Sequence, residues 1–255
     1  VETPLTSDGQ IKELVLEDGK VVVADLFVDC SGFASILLGK ALKEPFVPSK
    51  DYLLNDAAIV ARLPFGDSKE KELLPYTDCT ALSSGWVWNI PLWSRIGAGY
   101  VYSGDYLTEA EATEEFKEHL RSRYDDRVDD VEFRAIKIKA GRHERSWVGN
   151  CASLVLSTGF VEPLESTGLA LMCHQVEALV DVIKTQHYNS LDVSSHNNFV
   201  NSIIDDVVDF VSLHYSSTNR TDTPYWKFIN AELKIPASLI SKLKDINNPD
   251  RVLDD

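Results

Sequence analysis

"STGFVEPLESTGLALMCHQVEALV", residues 157–180, carries two glutamates around a proline straight into an apolar segment. Leu169, Met172, Cys173, Val176, Leu179 and Ile183 recur at helical spacing, which predicts a helix that begins near Gly168 and lays one stripe into a core. Glu165, Ser166 and Thr167 stand at its start. Amides of a first helical turn lack intrahelical partners, and the aligned peptide dipoles make that end equivalent to roughly half a positive charge. Two readings follow. In one, Ser166 or Thr167 caps the helix, Pro163 shapes the approach and Glu165 offsets the dipole, contributing about 1 kcal/mol. In the other the turn is an anion seat: Gly168 costs the helix up to about 1 kcal/mol but lets a ligand reach the backbone, and Gly159 offers the same access on the approach.

The rest of the chain bounds what such a turn can serve. Its 255 residues are 44% hydrophobic and 25% charged with five tryptophans, a globular composition. No run approaches the roughly 18 apolar residues a membrane helix needs. Forty acidic against 25 basic residues give a net charge of -15, which repels nucleic acid and anionic lipid, so neither is expected as a partner. Cys30, Cys79, Cys151 and Cys173 form no C-x-x-C pair and suggest no metal site or disulfide framework, so a reducing cytoplasm is expected. Asn219-Arg220-Thr221 fits a glycosylation triplet, but nothing else points to secretion.

Before this turn, "IKELVLEDGKVVVADLFVDC" reads as a hairpin about Asp18-Gly19, and a chain opening at Val1 on such a hairpin is expected to be a fragment. "FVDCSGFASILLGKAL" passes from a buried strand through Ser31-Gly32 into a helix. "DAAIVARLP" reads as a strand, and "GWVWNIPLWSRIGAGYVYS" as a hairpin with Trp86 and Trp88 on one face. "TEAEATEEFKEHLRSRY" is an amphipathic helix capped by Thr108; "VEFRAIKIKAGRHERSW" returns to the sheet. "NNFVNSIIDDVVDFVSLHY" and "PASLISKLKDI" are helical. The order fits an α+β layer joined to an α/β portion.

"DLFVDCSGF", "GWVWNIPLWSRIGAGYVYS", "GFVEPLESTG" and "HYSSTNRTDTPYW", in this order between about Asp25 and Trp226, resemble the flavin-dependent tryptophan halogenase family. The resemblance implies part of a Rossmann-like, aromatic-hydroxylase-type FAD-binding domain, an antiparallel substrate-side sheet and a helical C-terminal region. The expected division is 1–48 for the first piece of the FAD-binding domain, 49–146 for the sheet with one helix, 147–188 for the return with the halide and flavin turn, and 189–255 for the helical region. It further implies that reduced FAD, oxygen and chloride or bromide generate a hypohalous acid, which reaches a lysine beside an aromatic small-molecule substrate. A flavin reductase supplies the reduced cofactor, and the family leaves room for a homodimer. By the same resemblance Glu165 is the active-site glutamate with Ser166 beside it, and the backbone amides of Thr167 and Gly168 hold the halide. Leu156 and Leu169 line the flavin, and Trp86 and Trp88 are the paired tryptophans that disfavour ordinary monooxygenation. His214, Tyr215, Thr221 and Trp226 meet the substrate. As bland alternatives, the paired indoles are core filler, Trp226 a helix anchor and His214 a solvated surface residue.

The pattern departs from the family in two places. No G-x-G-x-x-G occurs in the 255 residues and no lysine can be assigned the catalytic role, so the ADP half of FAD has no glycine turn to hold it. Thr221 and His214 stand where enzymes acting on free tryptophan carry a glutamate and a tyrosine, which makes free tryptophan a poor candidate substrate. Two other function classes remain open: a flavin monooxygenase or hydroxylase using the turn without halide, and a non-catalytic module whose acidic surface binds protein. A glycosidase built on Glu162 and Glu165 is disfavoured, because carboxylates three residues apart do not flank a sugar bond.

Overall fold

Apolar alternation in the middle of the chain closes into an antiparallel sheet in a computed structural model that describes residues 1–185 and 189–246. In chain order the strands are β1 (Leu14–Val15), β2 (Val21–Val22), β3 (Phe27–Asp29), β4 (Phe46–Pro48), β5 (Ala57–Leu63), β6 (Asp78–Leu82), β7 (Gly85–Pro91), β8 (Ile96–Tyr102), β9 (Phe133–Lys137), β10 (Gly141–His143), β11 (Trp147–Val148), β12 (Cys151–Ser153) and β13 (Gly159–Phe160). The helices are α1 (Lys69–Glu72), α2 (Glu109–Tyr124), α3 (Thr167–Lys184), α4 (Ser190–Ser216), α5 (Pro224–Ala231) and α6 (Ala237–Ile246). Contacts divide the chain into two compact units: Val1–Leu53 with Lys139–Leu213 and Pro236–Asp255, and Leu54–Ile138 with His214–Ile235. The ends of the expected segments 147–188 and 189–255 lie outside the described residues.

The second unit is built on the five-stranded sheet β6-β7-β8-β5-β9, antiparallel throughout. Side chains alternate across it. Ile59, Ala61 and Leu63 of β5, Val87 of β7 and Ile96, Ala98 and Tyr100 of β8 pack with Phe116 and Leu120 of α2. That helix starts as its sequence predicts: the Thr108 side chain accepts from the Glu111 amide, and the Glu111 carboxylate accepts from the Thr108 N–H at 2.8 Å. The opposite face carries Trp86 and Trp88. In the register Trp88 lies across from Gly99, and a Cβ at Gly99 would fall 2.2 Å from the indole, so the bare glycine is what lets Trp88 lie down on the sheet.

The first unit has three small sheets among the described residues: β1-β2, β13-β10-β4 and β11-β12-β3, the last with β12 and β3 parallel. The β1-β2 hairpin turns at Asp18-Gly19, where Gly19 has φ 79°. Asp29, buried at the end of β3, accepts from the Ser31 N–H and O–H and from the Leu37 and Leu38 amides, so its carboxylate caps the helical turn Ile36–Ala41. Burial alone would raise its pKa; the Ser31 hydroxyl and three amides outweigh that and hold it below the usual carboxylate value.

Three expectations are corrected here. "VEFRAIKIKAGRHERSW" returns to the sheet only through β9, which pairs with β5 and ends at Lys137; β10 pairs with β4 and β13 instead. Gly159 does not admit a ligand, because a Cβ there would meet the Gly141 carbonyl at 2.6 Å; it is glycine so that β13 and β10 can approach. The helix after Gly168 forms, but its buried row is Leu171, Gln175 and Leu179, spaced at i, i+4 and i+8. Of the expected stripe only Leu179 is buried, while Leu169, Met172, Val176 and Ile183 are exposed, from 37% at Met172 to 64% at Leu169. The helix is apolar on both faces, so periodicity could not say which face turns inward. The C-terminal region is helical as expected: α4 buries Val200, Ile204, Val208 and Val211, and Lys242 of α6 bonds Asp206 and Asp209 of α4. Among the described residues no helix is long and apolar enough to cross a membrane, and no cluster of His, Cys, Asp and Glu could hold a metal ion.

Candidate functional site

The turn that joins β13 to α3 adopts backbone geometry the sequence does not announce. Leu164–Ser166 form a single 3-10 turn in which Glu165 (φ 55°, ψ 23°) and Ser166 (φ 58°, ψ 23°) are both left-handed. For residues other than glycine that conformation costs about 1–2 kcal/mol each, and such strain concentrates where geometry serves a ligand. The Ser166 hydroxyl does not cap the helix. The capping reading therefore fails for Ser166, and the hydroxyl of Thr167 also turns away, donating to the carbonyls of Glu162 and Leu164.

The amides are less evenly available than expected. The Ser166 N–H donates to Pro163 O at 3.1 Å, and the Thr167 N–H donates to Leu164 O. Thr167 is thus a clamp on the turn, and its amide is not free to share a halide with Gly168. Gly168 is the more open of the expected pair, and a Cβ built there meets nothing within 4 Å. Glu165 and Ser166 are exposed beside it. Leu169 follows them, also exposed, and Leu156 is half-buried on the 3-10 turn Val155–Ser157, which packs against α3.

The second unit holds the remaining candidates. Trp86 is buried and Trp88 half-buried, with ring centroids 5.9 Å apart. Tyr215 and Trp226 come together at 6.4 Å, both buried, and both use their polar atoms inside the protein. Asn55 donates to the Tyr215 hydroxyl at 2.8 Å and accepts from the Tyr225 hydroxyl at 2.9 Å. The Trp226 indole N–H donates to Leu82 O at 2.7 Å, and the Arg220 guanidinium lies 5.1 Å from the ring centre. Tyr215 and Trp226 therefore anchor the last helical segments, while His214 and Thr221 stay exposed; the four do not form one surface.

Sequence reading missed what pins this region. Arg220 binds Asp222 through two nitrogens and Ala81 O through a third bond at 2.9 Å, and Thr223 donates to Ser83 O. Ser83 in turn donates its amide and hydroxyl to Glu115, which also accepts from the Tyr100 hydroxyl at 2.8 Å. Burial, reinforced by the Glu115 charge, pushes the Tyr100 phenol well above its ordinary pKa. The short R-x-D spacing at 220–222 was the available signal; Asn55 and Glu115 gave none, because their partners are far away in sequence.

A family model described as tryptophan halogenase matches residues 1–254. The chain belongs to that family. It is 38% identical over 239 residues to the tryptophan 7-halogenase RebH of Lentzea aerocolonigenes, covering 93% of this chain and 44% of the relative. The tryptophan 6-halogenase SttH of Streptomyces toxytricini is 40% identical over 227 residues, covering 89% and 42%. Among solved structures, Tar14, a tryptophan C-6 flavin-dependent halogenase (chlorinase) from taromycin biosynthesis, superimposes with a TM-score of 0.88 at 40% identity, over 96% of this chain and 48% of that one. This halogenase-family chain thus spans less than half the length of these relatives.

Proposed function

We propose that the chain supplies the halide turn and substrate-side sheet of a flavin-dependent halogenase that acts on an indole-like aromatic small molecule. The observation that carries this is the start of α3: two successive left-handed residues, Glu165 and Ser166, no side-chain cap from Ser166, and an open backbone at Gly168. An uncapped helix start with room beside it is where a chloride or bromide gains most from the dipole and a free amide. Exposed Glu165 and Ser166 then stand beside the halide, where a carboxylate can hold a proton or orient the halogen donor.

The residues fit one end of FAD. Leu156 and Leu169 offer apolar cover for an isoalloxazine ring beside Gly168, whereas the 255 residues contain no G-x-G-x-x-G for the pyrophosphate. When bound, the reduced cofactor supplies the oxygen chemistry that makes halide electrophilic; the chain's own share is to seat the anion, exclude water and place the aromatic ring. A flavin reductase and oxygen are implied partners, and the site of action is a reducing cytoplasm, in keeping with the free thiols of Cys30, Cys79, Cys151 and Cys173. The buried Tyr215 and Trp226 and the exposed Thr221 argue against a pocket built for free tryptophan. A hydroxylase is the second reading, favoured by one observation: the Thr167 amide is already bonded to Leu164.

Anomalous diffraction from bromide-soaked crystals tests the halide seat; a peak beside Gly168 supports it, and none at saturating bromide refutes it. Mass spectrometry of an indole incubated with the complete enzyme of which this chain supplies the halide turn, with reduced FAD, oxygen and bromide, separates the two readings, a hydroxylated product without a brominated one choosing the second. Glu165→Gln is expected to leave the melting temperature unchanged and to abolish bromide incorporation.

A further inference from the structure

The turn that carries Leu156 holds a conformation its own residues oppose, and one buried amide keeps it there. Val155 has φ 56°, in the left-handed region where a β-branched side chain crowds its backbone. Its N–H donates to Oε1 of Gln175 at 2.6 Å. Gln175 is 1% exposed and lies in the buried row of α3 between Leu171 and Leu179, where an apolar residue would otherwise be expected. Three further bonds anchor the turn without Gln175. The Leu154 amide donates to Asp29 O at 3.0 Å, the Ser35 hydroxyl to Ser157 O at 3.0 Å, and the Ser157 hydroxyl to Gly32 O at 3.3 Å. Held at both ends, the turn has its handedness decided at Val155, and the acceptor that decides it comes from the same helix whose first turn carries Glu165 and Gly168.

We infer that Gln175 is a positioning residue: through the Val155 amide it locks Val155 in its left-handed conformation at the start of the Val155–Ser157 turn and so sets Leu156 against the flavin ring. The lock is a statement about this chain alone; its service to flavin rests on the function proposed above. An apolar side chain at this position leaves the Val155 N–H without its acceptor, and the backbone relaxes toward ordinary φ. A carboxyl keeps an oxygen in the same place.

Two measurements test this on the 255-residue chain. FAD titration, followed by the visible flavin band, compares wild type with Gln175→Leu and Gln175→Glu. Weaker binding by about tenfold in the leucine variant, with recovery in the glutamate variant, is expected from loss of one buried acceptor; equal binding by wild type and leucine variant overturns the positioning role. Absence of FAD binding by wild type sinks the flavin reading instead. In that event the lock is judged by a double-mutant cycle in thermal melts. Val155→Gly, which removes the strain, is expected to be more favourable to stability with Gln175 present than in the Gln175→Leu background; additive effects overturn the lock.

Discussion

Replacing Gly99 with alanine tests whether the paired tryptophans are placed by the sheet beneath them. The new Cβ would lie 2.2 Å from Cζ2 and 2.3 Å from Cη2 of Trp88, whereas carbon atoms in contact sit about 3.5–4.0 Å apart. An indole is rigid, so it cannot yield by bending; it has to leave the sheet. Overpacking of this kind costs about 1–3 kcal/mol, and losing the contact with Trp86, now at 5.9 Å between ring centres, adds about 1 kcal/mol. The sum, about 3 kcal/mol, corresponds to a fall of about 9 °C in melting temperature for a chain of this size. Gly97→Ala is the control on the same strand and face: the nearest atom to its Cβ is Ile90 O at 3.8 Å, an ordinary contact. Thermal melts and tryptophan emission of the two variants give the answer. Indistinguishable melting curves and spectra for the two would refute the claim that Gly99 sets the Trp88 pose.

Two further outcomes follow from the structure. Because Glu165 is left-handed and exposed, Glu165→Gly is expected to raise stability by about 1 kcal/mol; a destabilised variant in urea unfolding would show that the backbone there is not strained. Acid should weaken the fold before ordinary carboxylates titrate. Burial lowers the pKa of His119, with Arg123 adding to it against the opposing charges of Asp78 and Glu115, and burial lowers that of His196 against an opposing backbone bond at Ala178. The unfolded chain therefore binds these protons more readily, and stability present above about pH 6.5 is lost as pH falls through the folded values. Urea midpoints at pH 7.5 and 5.5 should converge in the His119→Gln/His196→Leu double variant; an undiminished pH dependence would remove both histidines from the effect.

What the sequence disclosed was local. The Thr108–Glu111 box, the Asp18-Gly19 hairpin and the tryptophan-bearing strand depend on neighbours within a few residues, and each stands where its pattern put it. The inward face of α3 was not legible, because Leu169, Met172, Val176 and Ile183 satisfy the same helical period as Leu171 and Leu179. Nor was the break between β9 and β10 legible, where Gly141 takes φ 134° and a Cβ would meet Val47 O at 2.3 Å. The partners of Tyr215 and Trp226 were not legible for a related reason: Asn55 and Leu82, which bond their polar atoms, lie far away in the chain. Nothing in Glu165-Ser166 signals a left-handed pair, since neither residue type favours it.

That pair, together with Val155, raises the question of what sustains the strain. Three non-glycine residues in left-handed geometry cost about 3–6 kcal/mol in all, comparable to a large part of the roughly 5–15 kcal/mol by which a domain is stable. All three belong to one unit, and two of them, Glu165 and Ser166, adjoin the start of α3 while the third is bonded to its Gln175. The compensation has to come from the apolar members of the buried row of α3. There Leu179 packs with Trp147 and Ala152, flanked by Leu154, Val182 and Val193, and each large apolar side chain fully buried contributes about 1.5–3 kcal/mol. With Leu171 and Trp147 also buried, the inward row of α3 suffices to hold the helix while its first turn and its glutamine impose unfavourable backbone elsewhere. The helix therefore works as a rigid bar: it is fixed by its apolar row and positions by its polar contacts, which is why the chemistry expected at Gly168 and the pose of Leu156 are mechanically one problem.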